Sequence, residues 1–180
     1  MKLKNLLKDF NLLATTSRGN EKQMCNELGY LLKEELGDPA PRVAKTGIRG
    51  LVAAETSLNP REVIEKFRAI LQKRPYEFRY ALRILPVEKV VPTDLDEIKR
   101  AASELAAGIG ENETFRITVE KRFTSLHTRD FVEAAATGVN RDVDLGNPDK
   151  VLLIEVVGGL TGISLIRPSE VLAVVKEKML

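Results

Sequence analysis

Five polar side chains lie close together near the middle of the chain, where a predicted strand gives way to a predicted helix. They are Lys121, Arg122, His127, Thr128 and Arg129. At a helix N-terminus the backbone N–H groups point outward and the helix dipole favours negative charge. Cations and hydroxyls at such a junction suit phosphate, and Arg can bind it through two parallel hydrogen bonds. The ordinary alternative is a solvated loop beside a capped helix.

Two further groups of cations occur in the first half of the chain. Lys45 and Arg49 flank the tip of a predicted hairpin that ends at Gly50, and a hairpin tip can reach a backbone phosphate. Arg18 and Lys22 flank another predicted strand-to-helix turn. We take Lys45, Arg49 and Arg18 as secondary phosphate candidates, with an ordinary polar hairpin or turn as the alternative.

Candidates for catalysis are few. His127 is the single histidine, and a general base needs a partner and a substrate within reach, which the sequence cannot place. The carboxylates of Glu120, Asp130 and Asp144 are more typical of solvated or capping groups than of an acid–base pair. One cysteine and one histidine exclude a Cys/His zinc cluster. The sequence contains no glycine-rich phosphate loop. We therefore predict no catalytic residue, no metal and no cofactor.

The elements that would position the central cations follow from hydrophobic patterning. Phe115, Ile117 and Val119 alternate with polar residues, which predicts a half-buried strand. Lys121 and Arg122 follow at its end, so neither is expected to need burial. Thr128 is predicted to cap a helix. The nearly continuous apolar run at 151–157 predicts a strand covered on both faces, and 160–166 predicts the next strand.

Over roughly its last hundred residues the chain resembles the THUMP domain, the RNA-binding module of many tRNA-modifying enzymes. The matching residues are Phe115, Val119, Lys121, Arg122, Phe131, Val143, Asp144, Leu145, Asn147, Pro148, Asp149, Ile154, Glu155, Val156 and Gly162. The resemblance implies an α/β domain with a mixed sheet that binds the acceptor stem and single-stranded 3′ end of tRNA. It also places Arg122 on the family's basic motif.

The first half of the chain shows the order β-α-β-β-α-β. Strands are predicted at 10–16, 42–46, 51–56 and 77–84, and helices after the caps Asn20 and Asn59. That order is the ferredoxin-like arrangement, with helices on one face of an antiparallel sheet. We therefore predict an α+β protein with a ferredoxin-like domain at 1–85 and a THUMP domain at 86–180. Residues 86–92 are predicted to be a connector, and Thr93 to cap a third helix.

Composition is that of an ordinary globular protein. Of 180 residues, 43% are hydrophobic and 30% charged, with a net charge of +2. No apolar stretch approaches the length of a membrane span, and the segment Met1–Lys8 has no small-residue cleavage site after it. We predict a cytoplasmic protein. Aromatic residues are 5% with no tryptophan, which argues against a sheet that stacks several bases.

Together with the THUMP resemblance, which implies tRNA as the ligand, these observations predict a tRNA-binding protein that is not an enzyme. No methyltransferase, pseudouridine synthase or thiolation domain follows Leu180, and the chain is similar to the stand-alone adaptor of tRNA cytidine acetyltransferase. That resemblance implies presentation of tRNA to a separate enzyme that forms N4-acetylcytidine. One alternative is a THUMP subunit serving a methyltransferase or thiolation enzyme in trans. An alternative from another functional class is a ferredoxin-like regulatory module that binds small molecules. A third alternative is a small hydrolase or an acylphosphatase-like enzyme, but this chain lacks the glycine-rich loop with an adjoining Arg that is expected of one.

Overall fold

A computed structural model describes residues 8–179, which divide into two units. Unit 1 holds the described residues up to Val87 together with those from Glu170 onward, and unit 2 is Glu88–Ser169. The prediction that Met1–Lys8 is not a leader peptide falls almost entirely on residues outside the described part of the chain. The division falls close to the boundary predicted between residues 85 and 86. It differs at the tail, which the sequence assigned to the second domain and which instead pairs with a strand of unit 1.

Unit 1 is built on a five-stranded antiparallel sheet. Its strands are β1 (Leu12–Thr15), β2 (Arg42–Lys45), β3 (Leu51–Glu55), β4 (Arg83–Pro86) and β10 (Leu172–Ala173), in the order β10-β4-β1-β3-β2. Its helices are α1 (Glu21–Tyr30), continued by a π-helical turn (Leu31–Glu35), α2 (Pro60–Lys73) and α5 (Val174–Lys178). The order of the first four strands, 4-1-3-2, confirms the predicted ferredoxin-like arrangement, to which β10 adds an edge strand.

The core of unit 1 lies between the sheet and the apolar faces of α1 and α2. Phe67 of α2 packs edge-to-face on Phe78, with ring centroids 5.8 Å apart. Asn59 caps α2 as predicted: its side chain accepts hydrogen bonds from the backbone N–H groups of Arg61 (2.9 Å) and Glu62 (3.4 Å). Asn20 occupies the cap position of α1, but its side chain makes no capping hydrogen bond, so that predicted cap is wrong.

The strand predicted at 77–84 is wrong over most of its length. A 3-10 turn covers Pro75–Glu77, and strand geometry begins only at Arg83. The carboxylate of Glu27 on α1 accepts hydrogen bonds from three consecutive backbone N–H groups, those of Arg79 (2.7 Å), Tyr80 (3.1 Å) and Ala81 (2.9 Å). Successive residues of a pleated strand face opposite ways, so an extended segment cannot converge on one acceptor.

Unit 2 is built on a second five-stranded sheet, which is mixed as predicted. Its strands are β5 (Lys89–Pro92), β6 (Thr114–Glu120), β7 (Asp142–Val143), β8 (Lys150–Val157) and β9 (Leu160–Ile166), in the order β5-β9-β8-β6-β7. Strand β6 runs parallel to β7 and β8, whereas β9 is antiparallel to β8 and β5. The predicted connector therefore contains an edge strand, because residues 89–92 pair with β9.

Two helices, α3 (Leu95–Ala106) and α4 (Thr128–Ala136), pack on the sheet of unit 2. Asp94, rather than Thr93, caps α3 and accepts hydrogen bonds from the N–H groups of Asp96 (2.9 Å) and Glu97 (3.1 Å). The hydroxyl of Thr93 instead donates to the carbonyl of Gly158 at 2.7 Å. None of the helices within residues 8–179 has the length and apolar character needed to cross a bilayer.

Candidate nucleic-acid interface

The segment 121–127, here called the basic loop, connects the end of β6 to the start of α4. Because β6 and β8 are parallel, their carboxyl ends meet at one edge of the sheet, where Glu120 lies opposite Glu155. The backbone N–H of Gly158 donates to the carbonyl of Arg122 at 2.9 Å and fixes the first turn of the loop. The loop is thus held at the end of two buried strands.

Arg122 is turned into the protein rather than toward solvent. Its side chain is only 16% exposed, and its Nη2 lies 3.4 Å from Oε1 of Glu155, whose side chain is 1% exposed. Its Nη1 lies 3.5 Å from the carbonyl oxygen of Val156. The expectation that Arg122 needs no burial is therefore wrong, because the guanidinium neutralises a buried carboxylate on β8. Its predicted contact with phosphate stays a prediction.

Lys121 is exposed, as expected of a residue at the end of a strand. Its Nζ donates to the carbonyl oxygen of Leu126 at 3.3 Å and so spans the loop. A second short contact, from the N–H of Leu126 to the hydroxyl of Thr124 at 3.2 Å, tightens the same turn. The ammonium group is therefore positioned near the helix start while it remains open to solvent.

The helix start itself differs by one residue from the prediction. Helix α4 begins at Thr128, so His127 and not Thr128 occupies the cap position. The N–H of His127 donates to Oδ2 of Asp130 at 2.9 Å, an arrangement that secures the first turn. Arg129 is exposed and bonded to Glu133 at 2.9 Å, and this hydrogen bond raises the pKa of Arg129. Both His127 and Thr128 are exposed.

Phe123 is a feature of the basic loop that the sequence did not indicate. Its φ is +55°, the single positive φ at a non-glycine position among residues 8–179, and its side chain is 71% exposed. A bulky residue in the left-handed region is strained, and such strain is concentrated at functional sites. No pattern in the sequence signals this conformation, since Phe ordinarily avoids it.

In unit 1 the structure brings two separately predicted groups together. The N–H of Thr16 donates to the carbonyl of Gly50 at 2.9 Å. A Cβ on Gly50 would lie 3.9 Å from Cγ of Arg18. Lys45 and Arg49, on the same hairpin as Gly50, are exposed, as is Arg18. Arg18 therefore lies beside the hairpin that carries Lys45 and Arg49, and these three exposed cations are here called the hairpin surface.

The carboxylates considered as acid–base candidates mostly have structural roles. Asp130 binds the cap of α4, as described. Oδ1 of Asp144 accepts hydrogen bonds from the N–H groups of Gly146 (3.1 Å) and Asn147 (2.9 Å), which makes a local turn. Within the described part of the chain, no group of three or more His, Cys, Asp and Glu side chains could hold a metal ion.

Comparison with known proteins identifies the class of the second unit. Residues 92–166 match the THUMP domain, so the chain contains a THUMP domain, and the matched region includes the whole basic loop. The chain is also 34% identical over 160 residues to the uncharacterized protein MJ0421 of Methanocaldococcus jannaschii. That alignment covers 86% of this chain and 40% of the relative, so the chain spans less than half of the relative's length.

Solved structures of low sequence identity share the fold. PH1313 from Pyrococcus horikoshii OT3 superposes with a TM-score of 0.64 at 20% identity, covering 88% of this chain and 55% of that one. TrmN from Thermus thermophilus gives 0.53 at 22% identity, with 89% and 47% covered. A predicted N6-adenine-specific DNA methylase from Listeria monocytogenes gives 0.52 at 19% identity, with 87% and 40% covered. The likeness extends over both units of this chain and about half of each neighbour.

Proposed function

We propose that this chain binds tRNA through its THUMP domain and presents it to a modifying enzyme carried on another polypeptide. The observation that carries the proposal is the basic loop, which lies within the matched THUMP region at the start of α4. Lys121, His127 and Arg129 are exposed there, beside a helix N-terminus. This arrangement suits the phosphates of a nucleic acid.

Two further features support a binding surface rather than an ordinary loop. The ion pair between Arg122 and Glu155 fixes the base of the loop, so the exposed cations are positioned before a ligand arrives. The exposed ring of Phe123, carried on a strained backbone, adds an aromatic face on which an unpaired base can stack. Cations with an adjacent aromatic fit a single-stranded end, which agrees with the acceptor stem and 3′ end implied by the THUMP resemblance.

For the client enzyme we favour a tRNA cytidine acetyltransferase, which makes N4-acetylcytidine. Support comes from the resemblance of the chain to the stand-alone adaptor of that enzyme. The alternative client is a methyltransferase or a thiolation enzyme acting in trans. A methyltransferase gains support from the Listeria neighbour, which is described as a methylase. Capture with tagged protein from the native source, followed by identification of the co-purifying enzyme, distinguishes these clients.

The first test concerns catalysis. Pure protein is incubated with unmodified tRNA and, in turn, with each acetyl, methyl and sulfur donor, and the nucleosides are then analysed. We expect no modification until the partner enzyme is added. Stoichiometric modification by this protein alone would end the adaptor proposal.

The second test concerns the ligand. Affinities for intact tRNA, tRNA trimmed at its 3′ end and duplex DNA are compared at one stated salt concentration, since phosphate contacts make binding depend on salt. We expect intact tRNA to bind most tightly. Equal affinities would leave only general attraction to phosphate. A failure to bind any nucleic acid would favour the other class of function, a ferredoxin-like module that binds small molecules.

A further inference from the structure

A cavity of about 720 Å³ opens on the surface of unit 1, between α1 and the segment 75–80. The chain has three tyrosines and no tryptophan, and all three tyrosines line this one cavity. They are Tyr30, Tyr76 and Tyr80. Nothing in the basic loop or the hairpin surface contributes to it, so it is a separate feature of the molecule.

One wall of the cavity is a single face of α1. Gln23, Asn26 and Tyr30 follow one another at helical spacings of three and four residues, which places their side chains in a row. The hydroxyl of Tyr30 donates to Glu35 at 3.1 Å, and this bond raises the pKa of Tyr30. The ring is therefore held by its hydroxyl, and it lines the cavity with 43% of the residue exposed.

The opposite wall is the segment that was predicted to be a strand. The carboxylate of Glu27 fixes residues 79–81 through the three backbone hydrogen bonds described above, and the side chains of Tyr76, Arg79 and Tyr80 line the cavity opposite α1. The interruption of the strand thus creates the second wall. Both walls belong to fixed parts of unit 1.

Some polar groups of the cavity are hydrogen-bonded within the protein, and others are available to a ligand. The carboxylate of Glu27 is taken up by backbone N–H groups, and that of Glu77 is bonded to Arg74 at 3.3 Å. The amides of Gln23 and Asn26 and the guanidinium of Arg79 make no side-chain hydrogen bond to any residue from 8 to 179. The cavity therefore offers aromatic faces, two amides and one cation.

The exposure of these tyrosines also favours a ligand. Tyr76 is 67% exposed and Tyr30 is 43% exposed, although a tyrosine ring ordinarily buries much of its apolar surface. Exposed aromatic rings gathered in a concave site with convergent polar groups are the usual signature of a binding pocket. An aromatic and planar ligand with hydrogen-bonding edges and a negative charge matches what this cavity presents.

We propose that this cavity binds an unpaired nucleobase of an RNA ligand. The base stacks on the tyrosine rings, the amides of Gln23 and Asn26 bind its edge, and Arg79 contacts the adjacent phosphate. The inference rests on the proposed function for the source of the base, and it adds a second contact site in unit 1. A bound protein segment is the competing occupant, and the test distinguishes the two.

The experiment uses Tyr76→Trp in the full chain. Because the natural chain has no tryptophan, the new residue is a single fluorescent reporter at the cavity. It is excited at the red edge of its absorption, where RNA absorbs little. Titration with tRNA and with short single-stranded oligonucleotides is expected to quench it as a base stacks. In parallel, the affinity of labelled tRNA is measured by gel shift for the natural chain, Tyr76→Phe and Tyr76→Ala.

We expect Tyr76→Phe to bind tRNA as the natural chain does, and Tyr76→Ala to bind about ten-fold more weakly, as for loss of one stacked base. Unchanged melting of both variants shows that the loss is local. Tight tRNA binding without quenching, and with full affinity in Tyr76→Ala, would overturn the cavity proposal and leave the proposed function intact. Quenching by oligonucleotides without tRNA binding would support the cavity and overturn the proposed function. Quenching only by a partner protein would overturn the nucleobase as its occupant.

Discussion

The two units each bury a glutamate, and they satisfy its charge in different ways. In unit 1, Glu27 is 9% exposed and accepts hydrogen bonds from neutral backbone N–H groups of one segment. In unit 2, Glu155 is 1% exposed and is paired with the guanidinium of Arg122. The carboxylate of Glu27 fixes the backbone of the segment that it binds. The carboxylate of Glu155 pairs with Arg122, which belongs to the loop of candidate RNA contacts.

In unit 1 the glutamate that holds the chain is distinct from the side chains proposed to bind a ligand, whereas in unit 2 the cation of the ion pair is itself a predicted RNA contact. The side chain that fixes the cavity, Glu27, does not itself supply the available polar groups there. Arg122 neutralises Glu155 and is also the residue that the THUMP resemblance predicts to contact RNA. A loss of tRNA binding on changing Arg122 would therefore not by itself identify a phosphate contact.

The largest effect is expected for Glu27→Ala. The change leaves three adjacent N–H groups without their acceptor, and each such buried group costs about 1–3 kcal/mol. We expect the free energy of unfolding to fall by roughly 3 kcal/mol or more, as measured by urea denaturation. Glu34→Ala is the matched control, because Glu34 is exposed on the following turn of the same helical stretch. Similar losses in both variants would contradict an anchoring role for Glu27.

The next effect is expected for Arg122→Ala. Removing one partner of a buried ion pair leaves the other charge uncompensated, at a cost of roughly 3–5 kcal/mol. The partial exposure of Arg122 places the expected loss near 3 kcal/mol. The double variant Arg122→Met with Glu155→Gln removes both charges and is expected to recover most of the loss, as read from denaturation midpoints. If the double variant is no more stable than Arg122→Ala, the pair is not what stabilises the loop.

A smaller effect concerns pH and Asp38, another buried carboxylate of unit 1. Burial opposes its ionisation, but hydrogen bonds from the hydroxyls of Thr56 (2.6 Å) and Ser57 (2.8 Å) and from nearby N–H groups outweigh burial, and the pKa of Asp38 is lowered. A lowered pKa contributes stability above the pKa of the unfolded state and loses it as pH falls through the folded value. We expect acid denaturation of the natural chain to be steeper below about pH 4 than that of Asp38→Asn. Parallel acid titration curves, followed by circular dichroism, would contradict this.

The smallest effect on stability is expected for Lys121→Ala. The side chain is exposed, so the free energy of unfolding is expected to stay within about ±0.5 kcal/mol. Binding of tRNA is expected to weaken, and the log–log slope of affinity against salt to fall by about one unit if one phosphate contact is lost. Lys99→Ala, on the exposed face of α3, is the control. An unchanged slope would show that Lys121 makes no phosphate contact. The hairpin surface would then be tested with the double variant Lys45→Ala and Arg49→Ala.

Elements whose signals are local could be predicted from the sequence. The alternation at 115–119 gives β6, the apolar run at 151–157 gives β8, and Asn59 followed by Pro60 gives the start of α2. Each of these patterns depends on neighbours within a few residues. The predicted ferredoxin-like order followed from elements of this kind, whereas the mixed sheet was implied by the THUMP resemblance.

The features that the sequence missed depend on distant partners. The stretch 78–82 alternates as well as β6 does, but the carboxylate that binds its N–H groups lies 52 residues earlier. Arg122 resembles a surface cation until Glu155, 33 residues later within an apolar run, is placed beside it. Likewise, only the pairing of β1 with β3 brings Arg18 beside the hairpin at Gly50.

Unit 1 is made of two segments of the chain, one before and one after unit 2, and this affects the order in which the units can fold during synthesis. The segment from Glu170 onward is made after all of unit 2. Its strand β10 nevertheless pairs with β4, and Glu170 and Glu177 form ion pairs with Arg61 (2.9 Å) and Arg68 (2.6 Å) of α2. On the ribosome, unit 2 is therefore complete while unit 1 still lacks its last strand. Because domains generally fold as units, we expect the second unit to fold first and the first to close last.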